Sequence, residues 1–297
     1  MTAAVRDPSR ATALRDLGVS LIANDLGSVA TLRVGMDTSD AVIHLAGSYR
    51  VGITAAEHPA MYEANVAVTE RVLDAAIAVG IPRIVAVSTA NVLGNTHGRL
   101  VDETYRRDLA DPYLSYYDET KVLAHRIAEA RIANGAPVII AMPGTTYGPD
   151  DHSAIGAKLK SAFDGSARVI GFGDVGISAV HVDDVAAGII AALEGGRLGE
   201  SYLLSGECLR LADAMRIAAR AGGRRPPRIR VPTALLRAAV PFARAAARLG
   251  VGRLDLAETV RAADGVTYWS THAKATTELG YSVRPLRQGV IDAFGHA

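Results

Sequence analysis

A tyrosine and a lysine four residues apart form the most informative pair of ionisable side chains in this sequence. Tyr117 and Lys121 fall within Ser115–Asn134, whose pattern predicts a helix. Residues four apart share one helix face, so the ammonium group can lie beside the phenol. A nearby cation favours the phenolate and lowers a pKa that is ordinarily about 10, which would let Tyr117 exchange protons at neutral pH. For the pair alone, the alternative is a surface contact on an amphipathic helix.

Small and hydroxyl-bearing residues end three apolar runs that predict strands. Ser88-Thr89 ends one run, His44–Gly47 ends a second, and Pro143-Gly144 follows a third. Ligands of open parallel sheets bind at the carboxyl ends of the strands. We therefore expect these three strand ends and the Tyr117 helix to form the wall of one site.

Short apolar runs alternate with amphipathic stretches through the first 200 residues, which is typical of βαβ units. Strands are expected at Thr2–Val5, Val19–Ala23, Ala41–Ala46 (buried on both faces), Ile84–Ser88, Pro137–Met142 and Ser178–His181. Helices are expected at 7–16, Val29–Met36, Met61–Val79, Ser115–Asn134, Ser153–Gly165 and Val182–Leu193. From Ser201 onward the pattern is mostly helical. The sequence thus predicts an α/β fold, a doubly wound parallel sheet with a smaller, mainly helical C-terminal part.

Composition excludes several classes of protein. The 297 residues carry 32 basic and 31 acidic side chains, a net charge of +1 without a basic surplus, so nucleic acid is not an expected partner. The single cysteine, Cys208, excludes a disulfide scaffold and suits a reducing compartment. No apolar run reaches about 18 residues, so a membrane partner is not expected either. These features predict a cytoplasmic protein that acts on a small-molecule substrate.

Two acidic and histidine clusters could suggest a metal site. They are Asp150-Asp151-His152 and His181-Val-Asp183-Asp184. Their spacing fits no helix-borne histidine pair, and the second lies at a strand-to-helix junction where aspartate caps helices. We therefore predict structural roles for both clusters and no metal.

Motifs along nearly the whole chain resemble the extended short-chain dehydrogenase/reductase family, also called the NAD-dependent epimerase/dehydratase family. Within it, the chain is most similar to the dihydroflavonol-reductase-like and hopanoid-associated sugar epimerase branch. The matching blocks are VRDPSR (Val5–Arg10), NDL (Asn24–Leu26), DAVIHLAG (Asp40–Gly47), NVAVTERVLDAA (Asn65–Ala76), STANVLG (Ser88–Gly94), YDETK (Tyr117–Lys121), PGTTYGP (Pro143–Pro149), HVDDVA (His181–Ala186), RLGESYLLSGE (Arg197–Glu207), GRRPPRIRVP (Gly223–Pro232) and KATTELGY (Lys274–Tyr281).

The resemblance implies a Rossmann-like architecture in two parts. Residues 1–150, with 177–200 returning to them, would form the dinucleotide-binding domain. Residues 151–176 and 201–297 would form the substrate-binding part. The resemblance also implies a homodimer, which is common in the family.

The resemblance also implies a catalytic Thr-Tyr-Lys set. Tyr117 would be the general acid/base toward a carbonyl or secondary alcohol. Lys121 would lower the pKa of Tyr117 and hydrogen-bond the nicotinamide ribose. Thr89, in place of the commoner serine, would orient the substrate oxygen, with Ser88 the candidate if the alignment slips by one.

Cofactor contacts follow from the same resemblance. Lys121, Pro143, Gly144 and Thr146 would border the nicotinamide end, Asp25 and Leu26 the adenine, and Ala46 and Gly47 would lie beneath the dinucleotide. Arg6 follows the first strand, where an arginine accommodates a 2′-phosphate, so NADP is expected over NAD. The alternative for Arg6 is an ordinary solvated side chain.

One family feature is not found in the printed sequence, namely an opening strand with a GxxGxxG turn that holds the pyrophosphate. A central strand lost from the order 3-2-1-4-5-6 would leave two strand edges unpaired. We favour a misassigned start, in which a valine codon before Thr2 was taken as the initiator. A truncated, inactive gene and a rearranged protein that binds no dinucleotide are the other readings.

Three functions are consistent with these motifs. The first is an NAD(P)-dependent oxidoreductase, which consumes cofactor in each turnover. The second is a nucleotide-sugar epimerase or dehydratase with the same site, although Met142 stands where many relatives carry an arginine. The third is a noncatalytic dinucleotide sensor that keeps the fold alone.

Overall fold

The computed structural model describes residues 1–24, 26–108, 110–248 and 255–295. Its strands are β1 (Thr2–Val5), β2 (Ser20–Ala23), β3 (Val42–His44), β4 (Ile84–Val87), β5 (Val138–Pro143), β6 (Thr145–Tyr147), β7 (Val169–Gly171), β8 (Gly176–His181), β9 (Ser201–Leu204), β10 (Glu207–Arg210) and β11 (Ile229–Val231). Its α-helices are α1 (Thr12–Asp16), α2 (Val29–Met36), α3 (His58–Tyr62), α4 (Val68–Ala78), α5 (Tyr116–Ala133), α6 (Ala154–Asp164), α7 (Val182–Gly195), α8 (Leu211–Ala221), α9 (Thr233–Arg248), α10 (Leu256–Ala263), α11 (Ala273–Leu279) and α12 (Leu286–Phe294). A π-helical segment, Glu63–Ala67, joins α3 to α4.

The central sheet consists of four parallel strands in the order β3-β4-β5-β9. β4 and β5 are apolar without interruption, as expected of strands covered on both faces. Ile84 and Ala86 pack in one core cluster with residues of α4 and α5, whereas Val85 packs in another with residues of α7 and α11. Helices therefore cover both faces, and the predicted doubly wound α/β fold is confirmed.

The two N-terminal strands form a separate parallel sheet. β1 pairs with β2, and among the described residues neither β1 nor β3 has a partner on its other edge. The β1-β2 sheet is connected to the rest of the fold through α2, which packs on α4 around Leu32, Val68 and Val72. Arg71 of α4 also donates from Nε to the Leu26 carbonyl oxygen at 2.8 Å. The unpaired edges expected from the sequence are thus present.

The strand expected at Ala41–Ala46 differs from the prediction in length and burial. β3 covers Val42–His44 alone, and Ile43 and Leu45 are 36% and 65% exposed. The prediction of burial on both faces was wrong because β3 is an edge strand in the described part of the chain.

The C-terminal part contains more strand than the pattern predicts. β10 pairs antiparallel with β8 and β11 pairs parallel with β7, while β9 completes the central sheet. The prediction of a mostly helical segment after Ser201 missed these strands because each is three or four residues long and is fixed by tertiary pairing. Helices α6, α8 and α12 pack together there around Leu159, Met215 and Val290. In the described ranges, no helix is long and apolar enough to cross a membrane.

Candidate active site

Helix α5 begins at the edge of a cavity and brings Tyr117 and Lys121 into its wall. The helix starts here because the Ser115 side chain caps it, accepting a hydrogen bond from the Asp118 amide at 3.0 Å. Tyr117 is 8% exposed and packs against Ile53 and Met61. The tyrosine is therefore held in place by apolar contacts rather than left on the surface.

The cavity has a volume of about 520 Å³ and lies where β3, β4 and β5 end. It brings together seven of the predicted site residues: Gly47, Thr89, Tyr117, Lys121, Pro143, Gly144 and Thr146. The rest of the wall combines apolar and aromatic residues such as Leu45, Tyr49 and Ile155 with polar and acidic ones such as Asn65 and Asp151. Residues expected to act together are thus neighbours around one space.

Three other predicted cofactor residues lie away from the cavity. Within the described chain, Arg6, Leu26 and Ala46 do not line the cavity. Arg6 is exposed after β1, and Ala46 packs against the cluster between α2 and α4. Asp25 lies outside the described residues. The roles of these four residues stay predictions.

The electrostatics of Tyr117 differ from the expectation. Burial raises the pKa of the Tyr117 phenol above its ordinary value of 10, the nearby Tyr49 adds to this, and the Thr89 hydroxyl acts in the opposite direction. The rings of Tyr49 and Tyr117 meet edge to face with centroids 4.8 Å apart. Burial dominates because a phenolate loses its hydration in such surroundings.

Lys121 does not offset the effect of burial on the pKa of Tyr117. Its Nζ donates a hydrogen bond to the Val87 carbonyl oxygen at 3.2 Å, and burial lowers the pKa of the Lys121 ammonium to about 8. The expectation that Lys121 lowers the pKa of Tyr117 is therefore wrong for this arrangement. The ammonium is held at the end of β4 instead.

Thr89 is fixed by the turn that follows β4. Its Oγ1 accepts a hydrogen bond from the Asn91 amide at 3.2 Å and caps the 3-10 turn Ala90–Leu93. The residue is 8% exposed, and both it and Ser88 line the cavity. A hydroxyl is thereby held at the strand end beside the Tyr117 phenol.

The sequence analysis missed a buried asparagine that shapes the cavity. Asn65 lies in the π-helical segment and is 1% exposed. Its Oδ1 accepts from the Ser48 amide at 2.6 Å, and its Nδ2 donates to the Ser48 carbonyl oxygen and to Thr120 Oγ1, each at 3.0 Å. These bonds fix the loop after β3 against α5. Single-turn π-segments occur often at functional sites, but their one extra residue leaves no clear sequence signal.

A second missed feature is a histidine bonded to Ser88. Ser88 Oγ lies 3.0 Å from His125 Nδ1, and His125 Nε2 lies 3.5 Å from a Glu129 carboxylate oxygen. The signal was present in the sequence, since His125 and Glu129 continue the four-residue spacing of Tyr117 and Lys121 along α5.

The residues around the cavity fit one end of a dinucleotide. Pro143 ends β5 and Gly144 follows it, and both line the cavity together with Lys121. At the predicted adenine end, the Leu26 amide, which follows β2, is already bonded to Asn24 Oδ1 at 2.7 Å. A backbone cradle for the phosphates is not seen in the described part of the chain, whereas the nicotinamide end is compatible with the residues present.

The acidic clusters take part in local structure. Asp151 Oδ1 accepts from the Ser153 amide at 2.7 Å, and His181 Nδ1 accepts from the Asp183 amide at 3.2 Å. Asp184 pairs with Arg284 at 2.8 Å. Over the described ranges, no group of three or more histidine, cysteine or acidic residues is arranged to hold a metal ion.

Comparison with known proteins gives consistent matches over the whole chain. The model of the "NAD dependent epimerase/dehydratase family" matches residues 2–205. A 4-hydroxy-2-methyl-3-oxo-4-farnesyl-3,4-dihydroquinoline-1-oxide ketoreductase from Stigmatella aurantiaca is 30% identical over 99% of this chain and 88% of its own. A putative dihydroflavonol 4-reductase from Synechocystis sp. (strain ATCC 27184 / PCC 6803 / Kazusa) is 26% identical over 98% and 85%.

Solved structures agree with these sequence matches. The crystal structure of gox2253 superimposes with a TM-score of 0.82 at 29% identity, covering 98% of this chain and 88% of the other. A dTDP-glucose 4,6-dehydratase from Streptomyces venezuelae with NAD bound gives a TM-score of 0.74 at 23% identity, covering 97% and 83%. The second likeness supports the fold alone.

Proposed function

This chain belongs to the NAD-dependent epimerase/dehydratase family, whose members are enzymes, and we propose that it is an NADPH-dependent reductase of a small-molecule ketone. One observation carries the proposal: Tyr117, Thr89 and Lys121 meet in the wall of a single cavity at the ends of β4 and β5. An acid, an orienting hydroxyl and a cation are what carbonyl reduction requires of a protein.

In the proposed reaction Tyr117 is the general acid. The raised pKa keeps the phenol protonated at neutral pH, so a proton is available to the carbonyl oxygen as negative charge develops there. Thr89, fixed by its bond to the Asn91 amide, orients that oxygen. Lys121 would hold the nicotinamide ribose, and the cofactor, when bound, supplies the hydride. A protonated phenol favours reduction over the reverse oxidation, which needs a base.

The cavity wall supports a ketone on a flat, apolar skeleton. Leu45, Ile155 and Val182 supply aliphatic surface, and Tyr49 and Tyr147 supply aromatic surface. Two relatives that match at least 98% of this chain are named for a ketone on a dihydroquinoline and for a dihydroflavonol. A substrate with a fused or linked ring system would bury its apolar area against these walls.

Use of NADP over NAD is part of the same proposal. Arg6 is exposed after β1 and forms no ion pair with the described residues, so its guanidinium is available to a 2′-phosphate. An acidic residue would bond a ribose 2′-hydroxyl instead. Competition between NADPH and NADH for the native protein and Arg6→Ala measures this preference directly.

A nucleotide-sugar epimerase or dehydratase is the weaker reading. Met142, where many relatives were expected to carry an arginine, is 2% exposed in the core cluster and offers no charge to a sugar nucleotide. Ketone reduction consumes one cofactor molecule per turnover, whereas an epimerase or dehydratase regenerates its cofactor in every cycle.

A screen of cyclic and aryl ketones, followed through the NADPH absorbance band, tests the proposal. We expect one NADPH to be consumed per alcohol formed. Turnover of a nucleotide sugar without net NADPH consumption would replace the proposal with the alternative reading. NADPH binding, measured by fluorescence, without turnover of any carbonyl would favour a noncatalytic sensor.

A further inference from the structure

A column of ionisable side chains runs along one face of α5, away from the cavity. Tyr117, Lys121, His125 and Glu129 follow one another at intervals of four residues. At 1.5 Å per residue the column spans about 18 Å. Exposure increases along it, from 8% for Tyr117 to 13% for the His125 side chain and 50% for that of Glu129. The column therefore leads from a buried acid to solvent.

Ser88 connects this column to the cavity at a second point. Its Oγ lies 3.0 Å from His125 Nδ1, and Ser88 lines the cavity with Tyr117. The ammonium of Lys121 is bonded to the carbonyl oxygen of Val87, the residue before Ser88. Serine, histidine and glutamate thus form one line of polar groups between the cavity and the surface.

A charged carboxylate, that of Glu129, lies at the solvent end of this line of polar groups. The pKa of the Glu129 carboxyl is lowered, first by its hydrogen bond with His125 and further by the charges of Arg106 and Arg126. Glu129 is therefore ionised at neutral pH, and its carboxylate lies 3.5 Å from His125 Nε2. When Nδ1 carries a proton it donates to Ser88 Oγ, and Nε2 can then take up a proton that arrives through Glu129.

We infer that Ser88, His125 and Glu129 form a proton relay that returns a proton to Tyr117 after each turnover. The inference rests on the proposed reductase function. Reduction of a ketone adds one hydride to carbon and one proton to oxygen, and Tyr117 supplies the proton. The resulting phenolate takes one proton back from solvent through Glu129, His125 and Ser88, with water or a ligand hydroxyl in the cavity completing the path. Ser88 lines the site, whereas His125 and Glu129 are positioning and proton-carrying residues.

Burst kinetics separate a relay from a purely structural role. Tyr117 begins each experiment protonated, so His125→Ala should consume the first equivalent of NADPH at the native rate. Later turnovers should be slower by about 10- to 100-fold, with KM for NADPH within twofold of native. Added imidazole should restore the steady-state rate of His125→Ala but not that of Ser88→Ala. His125→Gln, which keeps hydrogen-bonding capacity but carries no exchangeable ring proton, should be slow and unresponsive to imidazole.

His97 provides the matched control. It is exposed and lies 3.1 Å from the Asp111 carboxylate, so His97→Ala removes a similar histidine–carboxylate pair away from the cavity. This variant should keep native steady-state turnover. An equal slowing of the first and later turnovers in His125→Ala, or a steady-state rate within twofold of native, would overturn the relay while leaving the proposed reductase intact.

Nitrogen NMR of the His125 ring tests the relay without turnover. If the native protein reduced no ketone, the proposed function would fail, and the ring would still report on the hydrogen-bonded line. We expect Ser88→Ala to shift the Nδ1 signal of His125 and Glu129→Gln to shift its Nε2 signal. If the ring signals of His125 were the same in the native protein, Ser88→Ala and Glu129→Gln, this result alone would exclude the relay.

Discussion

The Lys121 ammonium donates a hydrogen bond to the Val87 carbonyl oxygen at 3.2 Å and so joins α5 to the end of β4. One strand end thereby holds the lysine, and the next two residues of the chain bring Ser88 and Thr89 to the cavity. The helix and the strand that supply the proposed catalytic groups are fixed to each other by a charged hydrogen bond. The position of the ammonium follows from a backbone carbonyl rather than from the Tyr117 phenol.

Lys121→Met should change both the pH dependence of the free energy of unfolding and the affinity for NADPH. Burial lowers the pKa of Lys121 to about 8, below its unfolded value of about 10.4, so the unfolded chain binds more protons between these pH values. The native protein should therefore gain about 3 kcal/mol of stability relative to Lys121→Met as pH rises from 8 to 10.4. Urea unfolding of both proteins at pH 7.5 and pH 10 measures the difference; a constant difference would contradict the buried ammonium. NADPH affinity should fall in the variant.

His44 should make the protein sensitive to mild acid. It is 5% exposed, its Nε2 lies 2.9 Å from Thr69 Oγ1, and burial followed by the charge of Lys121 lowers its pKa to about 4. Below about pH 6.5 His44 binds a proton in the unfolded chain but stays neutral in the folded protein. The free energy of unfolding therefore falls as pH drops from 6.5 to 4.

We expect a loss of about 3 kcal/mol over that range relative to His44→Gln, which cannot titrate. Unfolding midpoints in urea at pH 7 and pH 5 check this for both proteins. Parallel curves for the native protein and His44→Gln would show that His44 does not titrate as described.

Gly144 should tolerate no side chain. A Cβ there would lie 2.5 Å from the Ser178 backbone oxygen, so Gly144→Ala must displace β8 or the end of β5 beside the cavity. Crowding of this kind typically costs about 1–3 kcal/mol. The control is Gly171→Ala, because a Cβ on Gly171 meets no atom within 4 Å. Thermal unfolding should show a lowered Tm for the first variant only, and equal Tm values would refute the close approach.

Much of the central architecture could be predicted from local pattern. β1 and α2 lie at the predicted residues, because capping groups and apolar periodicity are local signals. The predicted helix Met61–Val79 proved to be α3, a π-helical segment and α4 in succession. Strands such as β10 and β11 are fixed by pairing with distant partners and leave little local signal.

The positions of the site residues could be predicted where they follow from sequence spacing along a helix or from the end of a strand. Tyr117, Lys121 and Thr89 lie around one cavity because the carboxyl ends of parallel strands meet at one edge. The pKa of Tyr117 was not predictable, since its direction depends on burial and on where the Lys121 ammonium points. The four-residue spacing places His125 on the same helix face as Lys121, but its contact with Ser88 exists only in the folded chain and was not predictable.

Thr89 should be replaceable by serine alone. Thr89→Ser keeps the hydroxyl that caps the following turn and faces Tyr117, so turnover should stay within about threefold of native. Thr89→Ala loses both roles and should lower kcat by about 10- to 100-fold and stability by about 1 kcal/mol. Steady-state kinetics and urea unfolding of the two variants measure these effects. Native kcat in Thr89→Ala would exclude Thr89 from the reaction.

The central claim is that Tyr117 gives the proton to the substrate, and Tyr117→Phe tests it most directly. Phenylalanine keeps the ring contacts with Ile53, Met61 and Tyr49 but removes the hydroxyl. With a ketone that the native protein reduces, kcat should fall by about 10²- to 10⁴-fold while the Kd for NADPH, from fluorescence titration, stays within twofold. A Tyr117→Phe enzyme with kcat within twofold of native would contradict the claim.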